Sequence, residues 1–173
     1  MRRQPRLQVL TIGYEGALLQ DFLETLSAAR VSRLLDVREL PISRRKGFSK
    51  TALTVALADV RIAYQHERGL GSPRHIRHRL RDDGDFQRYF TDFREYLSTQ
   101  RLLLDDLAAS LVGPVALLCY ERNPAECHRS VVATALAKRA KTTVQHLTVP
   151  RHDALQAPSH PRPHPRQSLP TTK

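Results

Sequence analysis

The chain has 173 residues, 40% of them hydrophobic, and a formal net charge of +11 at pH 7. That length suits one domain with a sizeable core, and a pair of cysteines makes no disulfide framework, so a reducing cytoplasm is the expected setting. No apolar run has the length of a membrane span or the form of a signal-peptide core, so the excess charge is expected to meet an anionic small molecule or a nucleic acid and no membrane.

Residues 7–12 (Leu-Gln-Val-Leu-Thr-Ile) form a short β-prone run stopped by Gly13-Tyr14-Glu15-Gly16. From Ala17 the apolar period changes, with Leu18, Leu19, Phe22, Leu23 and Leu26 on one helical face. A second strand is expected over residues 31–37, followed by a basic, Pro-broken loop over 38–47. Ser49 stands as the N-cap of a short helix over 50–58. Residues 61–65 read as a weaker third strand ending at His66. A Gly- and Arg-rich segment over 68–81 follows, closed by an acidic turn at Asp82-Asp-Gly-Asp85. Phe86, Tyr89, Phe90, Phe93, Tyr96 and Leu97 recur at three- and four-residue steps and predict one long helix from about Asp85 to Leu107 or beyond. Residues 115–118 are a buried strand, Val131, Val132, Ala135 and Leu136 mark the helix after it, and 143–149 a final strand. Beyond Pro150 the composition turns to Pro, His, Arg and Ser, as in a disordered tail. The expected organisation is one α/β domain over 1–150 and a tail over 151–173.

Strands alternating with helices imply right-handed crossovers and a mostly parallel five-stranded sheet covered on both faces, a Rossmann-like three-layer α/β fold. In such a sheet all strand C-termini share one rim, where open α/β sheets bind their ligands. Tyr14 and Glu15, Asp36 and Arg38, His66, and Cys119-Tyr120-Glu121 would then face one another. The basic loops over 38–50 and 68–81 rise from the same rim.

The motifs Thr11-Ile-Gly-Tyr14, Asp36-Val-Arg38 with Pro41 and Ser43, and Phe48-Ser49 point the same way. So do Leu118-Cys-Tyr-Glu121 followed by Pro124 and Cys127-His-Arg129, and Leu70-Gly71 after Tyr64 and His66. Together they resemble the family catalogued as domain of unknown function 488, over about residues 7–149. The resemblance implies a compact α/β domain without assigning it a reaction.

The densest chemistry lies in Cys119 to Arg129. A thiol at a helix N-terminus beside a guanidinium is favoured as thiolate, which makes Cys127 a candidate nucleophile. Asn123-Pro-Ala-Glu126 reads equally as a capping box, which would place Cys127 a turn inside the helix as a buried hydrophobe. A phosphatase-type cysteine loop is disfavoured, since Ala133 and Ala125 stand where its arginine would be. Arg38, His128 and Arg129 are candidate anion ligands with Tyr14, and Arg129 reads equally as a brace that holds loops against Glu126, Glu121 or Asp36. Glu15, Asp36 and Glu121 are candidate general acids or bases, with an Asp36–Arg38 ion pair as the plainer reading. Tyr14, Phe48 and Tyr120 could stack nucleobases. Arg44, Arg45, Lys46, Arg74, Arg77 and Arg79, with Arg81, are candidate phosphate contacts.

Gly13-Tyr-Glu-Gly16 is not a dinucleotide fingerprint and no Walker lysine is present, so no cofactor is expected. Cys119, Cys127, His128 and His66 lack the short paired spacing of zinc knuckles, so no metal is expected either. Two functions remain: a small enzyme acting on an anionic, nucleotide- or nucleic-acid-derived substrate, or a non-catalytic nucleic-acid-binding module.

Overall fold

The computed structural model describes residues 6–151, and the expected tail lies outside them. Strands β1 (Gln8–Gly13), β2 (Arg33–Asp36), β3 (Ala63–His66), β4 (Pro114–Cys119) and β5 (Val144–Leu147) make one sheet in the order β3-β2-β4-β1-β5. Every pairing is parallel. All five strand C-termini therefore lie on one rim, as the strand–helix alternation predicts.

Burial on both sides explains the near-continuous apolar sequence of β4. Ala116 and Leu118 pack with Leu10, Ile12 and Leu34 beneath α1 (Leu19–Ala28) and α2 (Lys50–Asp59). Val115 and Leu117 point the other way, with Val9 and Leu35, toward α4 (Phe86–Thr99), α5 (Arg101–Ser110) and α6 (His128–Ala140). Fully buried side chains such as Phe22, Leu26 and Phe93 each contribute about 1.5–3 kcal/mol of transfer free energy.

The connections decide where the sheet opens. The chain leaving β1 and β2 turns to the face of α1 and α2, whereas the chain leaving β4, which lies between them, turns to the face of α6. Neighbouring strands that send their connections to opposite faces part at their ends, so a crevice forms at Cys119.

Four local expectations are corrected. Residues 68–81 are not a loop: a 3₁₀ turn (Arg68–Leu70) leads into α3 (Arg74–Asp83), which packs on α4. The long helix predicted after Asp85 breaks at Gln100, where the Ser98 and Thr99 hydroxyls donate to the Glu95 and Tyr96 carbonyls and compete with the helical ladder. Ser49 sits at the N-cap of α2, but its hydroxyl exchanges hydrogen bonds with the Ser43 backbone and clamps the basic loop instead. Asn123 and Pro124 do start a helical turn, but a 3₁₀ one over Pro124–Glu126. Helix α6 begins afresh at His128, with Cys127 as its N-cap.

Candidate functional site at the C-terminal rim

The rim is first of all braced. Asp36 is fully buried at the end of β2, and Arg38 meets it fork to fork, Nε to Oδ1 at 2.8 Å and Nη2 to Oδ2 at 2.5 Å. Tyr64 donates to the same carboxylate at 2.6 Å, and Arg38 Nη1 donates to the Tyr14 hydroxyl and the Phe48 carbonyl. Burial pulls the Arg38 guanidinium down, but the Asp36 carboxylate outweighs it and holds Arg38 above its ordinary value. Asp36 is thus the anchor of an ion pair and has no open face for acid–base work; the plainer reading holds. Tyr14 and Phe48, expected as base-stacking platforms, are stacked on each other at 4.5 Å and buried. Tyr120, edge-on to Tyr14, keeps its ring exposed.

Two glycines let backbones meet at this rim. A Cβ on Gly13 would lie 2.0 Å from the Glu121 carbonyl oxygen, and one on Gly71 2.3 Å from the Glu39 nitrogen. Only bare backbone at these positions allows the ends of β1 and of the residue 68–71 turn to approach so closely. Glu15 completes the brace by accepting from the Arg122 amide, and so faces away from the crevice floor. Arg129, expected as an anion clamp, is 1% exposed. It donates to the Glu121 and Arg122 carbonyls, and holds the β4–α6 loop from below. A charge sealed in this way cannot touch a ligand. Its partners are carbonyls, not the carboxylates of the bracing alternative.

On this frame four reactive side chains converge. The Cys119 and Cys127 thiols both donate to Glu121 Oε2 at 3.0 Å, and His128 Nδ1 lies 3.7 Å from Cys119 Sγ. His128 Nε2 is 2.8 Å from the Val37 carbonyl, and Phe93 meets the imidazole edge to face. Burial, with Cys119 adjoining, pushes the Cys127 thiol well above its ordinary value, which opposes the thiolate expected from the helix N-terminus. Burial also works against the Glu121 carboxylate, but the two thiol hydrogen bonds outweigh it and hold Glu121 below the usual range.

These groups form the floor of a cavity of about 530 Å³. Cys119, Glu121 and His128 line it, while Cys127 closes the back. Arg38, Arg44, Arg45, Arg77 and Arg81 stand around it, with Leu40, Ile42 and Tyr120 exposed at the mouth. The basic residues read from sequence therefore divide. Arg77 and Arg81, one turn apart on α3, face the cavity, Arg77 pairing with Glu39. Arg79 pairs with Asp92, Arg74 turns back to His78, and Lys46 lies on the far side of its loop beside Gly47.

Ser72 and Tyr89 also line the cavity, and the sequence reading did not place them there. Tyr89 belongs to an aromatic stripe that reads as core, and its burial raises its phenol above the ordinary value. The buried Ser72 hydroxyl has no hydrogen-bond partner among the described residues. Only the side chain's position at i and i+3 from Phe86 could have flagged Tyr89, and that spacing is shared by any buried helix face.

Among the described residues no helix is long and apolar enough to cross a membrane. No curated protein and no solved structure was found to match the chain. The family model for the domain of unknown function DUF488 matches residues 18–136. That span takes in the Asp36–Arg38 pair and the whole Cys119–Arg129 cluster, and leaves Thr11 to Tyr14 outside, so it is narrower than the motifs suggested. The chain belongs to the DUF488 family.

Proposed function

We propose that the chain is an enzyme acting on an anionic, nucleotide- or nucleic-acid-derived substrate that enters the rim cavity. One observation carries this reading: five arginines and an exposed tyrosine surround a floor of thiol, carboxylate and imidazole within a single cavity. A phosphate would be met at the mouth by Arg44 and Arg81, both exposed, with a base against Tyr120 and the apolar Leu40 and Ile42. The reacting end would then reach Glu121 and His128, which line the floor of the cavity beside Cys119. Of the residues first considered for the reaction, Glu121 keeps that role. Cys127 supports it from behind, and Glu15 and Asp36 hold the frame. Two buried free thiols fit a reducing, cytoplasmic setting.

The test pairs binding with turnover. Calorimetry with nucleoside monophosphates and short single-stranded oligonucleotides should show binding that weakens about tenfold in Arg44→Ala/Arg81→Ala, the loss of one or two charge-assisted contacts. Proton and phosphorus NMR of the bound class of nucleotide, incubated with the protein, should show its conversion by the wild type and none by Glu121→Gln. If oligonucleotides bind but nothing is converted, and the affinity depends on Lys46, Arg74 and Arg79 as much as on Arg44 and Arg81, the chain is a nucleic-acid-binding module instead. If no nucleotide or oligonucleotide binds, the reading fails altogether.

A further inference from the structure

We infer that Cys119, Glu121, Cys127 and His128 form a binding site for a zinc-class divalent transition-metal ion at the floor of the rim cavity. The inference does not rest on the cavity's having a substrate, because the fold itself brings the donors together: one from the end of β4, one from the loop after it, one from the N-cap of α6 and one from its first residue. The four donor atoms all lie within 4.8 Å of one another. A tetrahedral zinc ion with bonds of about 2.0–2.3 Å separates its donors by about 3.3–3.8 Å. The contacts present are 3.0 Å from each thiol to Glu121 and 3.7 Å from Cys119 to His128, so the thiols would part from the carboxylate by a few tenths of an ångström, while the widest donor pairs, bounded by 4.8 Å, would close by up to about an ångström.

The histidine supplies the independent argument. Its Nε2 faces the Val37 carbonyl, which can only accept, so that nitrogen carries the proton in the neutral ring and Nδ1 presents a bare lone pair to the thiols. A backbone carbonyl on the far nitrogen is the usual support of a metal-bound imidazole, fixing both tautomer and ring angle. Phe93 fixes the same ring from its side. The alternative occupants of the cluster are two thiol protons, both directed at one carboxylate oxygen.

The donor set selects the ion. Two thiolates, an imidazole and one carboxylate favour zinc or its tetrahedral substitutes over magnesium and calcium, which take oxygen shells. Binding replaces protons: the divalent ion enters, Cys119 and Cys127 each release one proton to solvent, His128 binds through the Nδ1 lone pair and gives up to solvent any proton held there, and the Glu121 carboxylate binds without losing one. The cavity supplies the entry path, since Cys119, Glu121 and His128 all border it. The Cys-x7-Cys-His pattern hid this site because Glu121, not His66, completes it. His66 is instead engaged with the Arg38 carbonyl.

The experiment uses the full chain, reduced, stripped with a chelator and titrated with cobalt(II) and then zinc. One cobalt per chain should bind with visible tetrahedral bands and a thiolate-to-metal charge-transfer band, and zinc should bleach both. Histidines elsewhere in the chain, including those after Pro150, give no sulfur charge transfer. Zinc should also slow alkylation of Cys119 and Cys127 by iodoacetamide about tenfold or more, a measurement on the wild type that no folding defect can mimic. Cys127→Ser and Glu121→Gln should each weaken cobalt at least about tenfold, as ligand-shell changes do. The inference is overturned if the reduced chain takes up no stoichiometric metal, if cobalt binds without sulfur charge transfer, or if the thiols instead close into a disulfide and zinc leaves their alkylation unchanged.

Discussion

A guanidinium withdrawn from water needs oxygens in place of the water it gives up, and the rim contains two such groups with different partners. Arg38 meets a carboxylate, a phenol and a carbonyl, whereas Arg129 meets two carbonyls of the loop it supports. The difference predicts different responses to substitution. Arg129→Ala removes a fully buried side chain and leaves the Glu121 and Arg122 carbonyls without their donors, so it should destabilise the fold by about 3 kcal/mol in urea unfolding. Arg129→Met refills most of the volume and should recover only the packing part of that loss, since the two carbonyls remain without donors. Tyr64→Phe deletes one hydrogen bond to the buried Asp36 carboxyl group and should cost about 1.5 kcal/mol. Were Arg129 an anion clamp, Arg129→Ala would leave the unfolding midpoint where it is and weaken only binding.

The elements are held in register by contacts between their ends as much as by the sheet. Gly71 lies against the Arg38–Glu39 backbone, and a methyl group there would displace either the turn over Arg68–Leu70 or the loop after β2. Gly71→Ala should therefore destabilise by about 3 kcal/mol, the upper range of overpacking, while Gly84→Ala, where a Cβ meets nothing, should show only the smaller strain of its left-handed backbone. Thermal unfolding of the two variants side by side checks the contrast. The elements themselves were largely legible from sequence, because a 2.0 or 3.6 period is a local signal: all five strands and the faces of α1 and α4 follow from it. What sequence could not show was set by contacts across the fold. The break at Gln100 comes from two hydroxyls that bond backward, and the division of the basic residues depends on how α3 rotates against α4. The candidate site was half legible: Cys119, Glu121, Cys127 and His128 all stood out as polar groups at a strand–helix crossing. Their meeting at one carboxylate oxygen, and the retreat of Arg129 and Asp36 into the frame, are tertiary facts.

At the scale of the whole molecule the net charge of +11 acts on folding and on binding with opposite sign. Like charges repel in the compact state, so moderate salt should raise the thermal midpoint by screening them. The same salt should weaken any bound anion. The slope of that weakening separates a cavity from a surface: single-stranded nucleic acid loses about 0.7 log units of affinity per decade of salt for each phosphate neutralised. If Arg44, Arg45 and Arg81 alone hold the strand at the cavity mouth, log K should fall against log salt with a slope of about −2. If Lys46, Arg74 and Arg79 join them the slope should approach −4, and Arg44→Ala/Arg81→Ala should then bring it only to about −3, instead of to about −0.7 where the rim alone binds. Fluorescence titrations of a labelled single strand across a series of salt concentrations measure both slopes. A steep slope that survives the double substitution would move the binding surface off the rim and onto the outer faces of α3 and the basic loop.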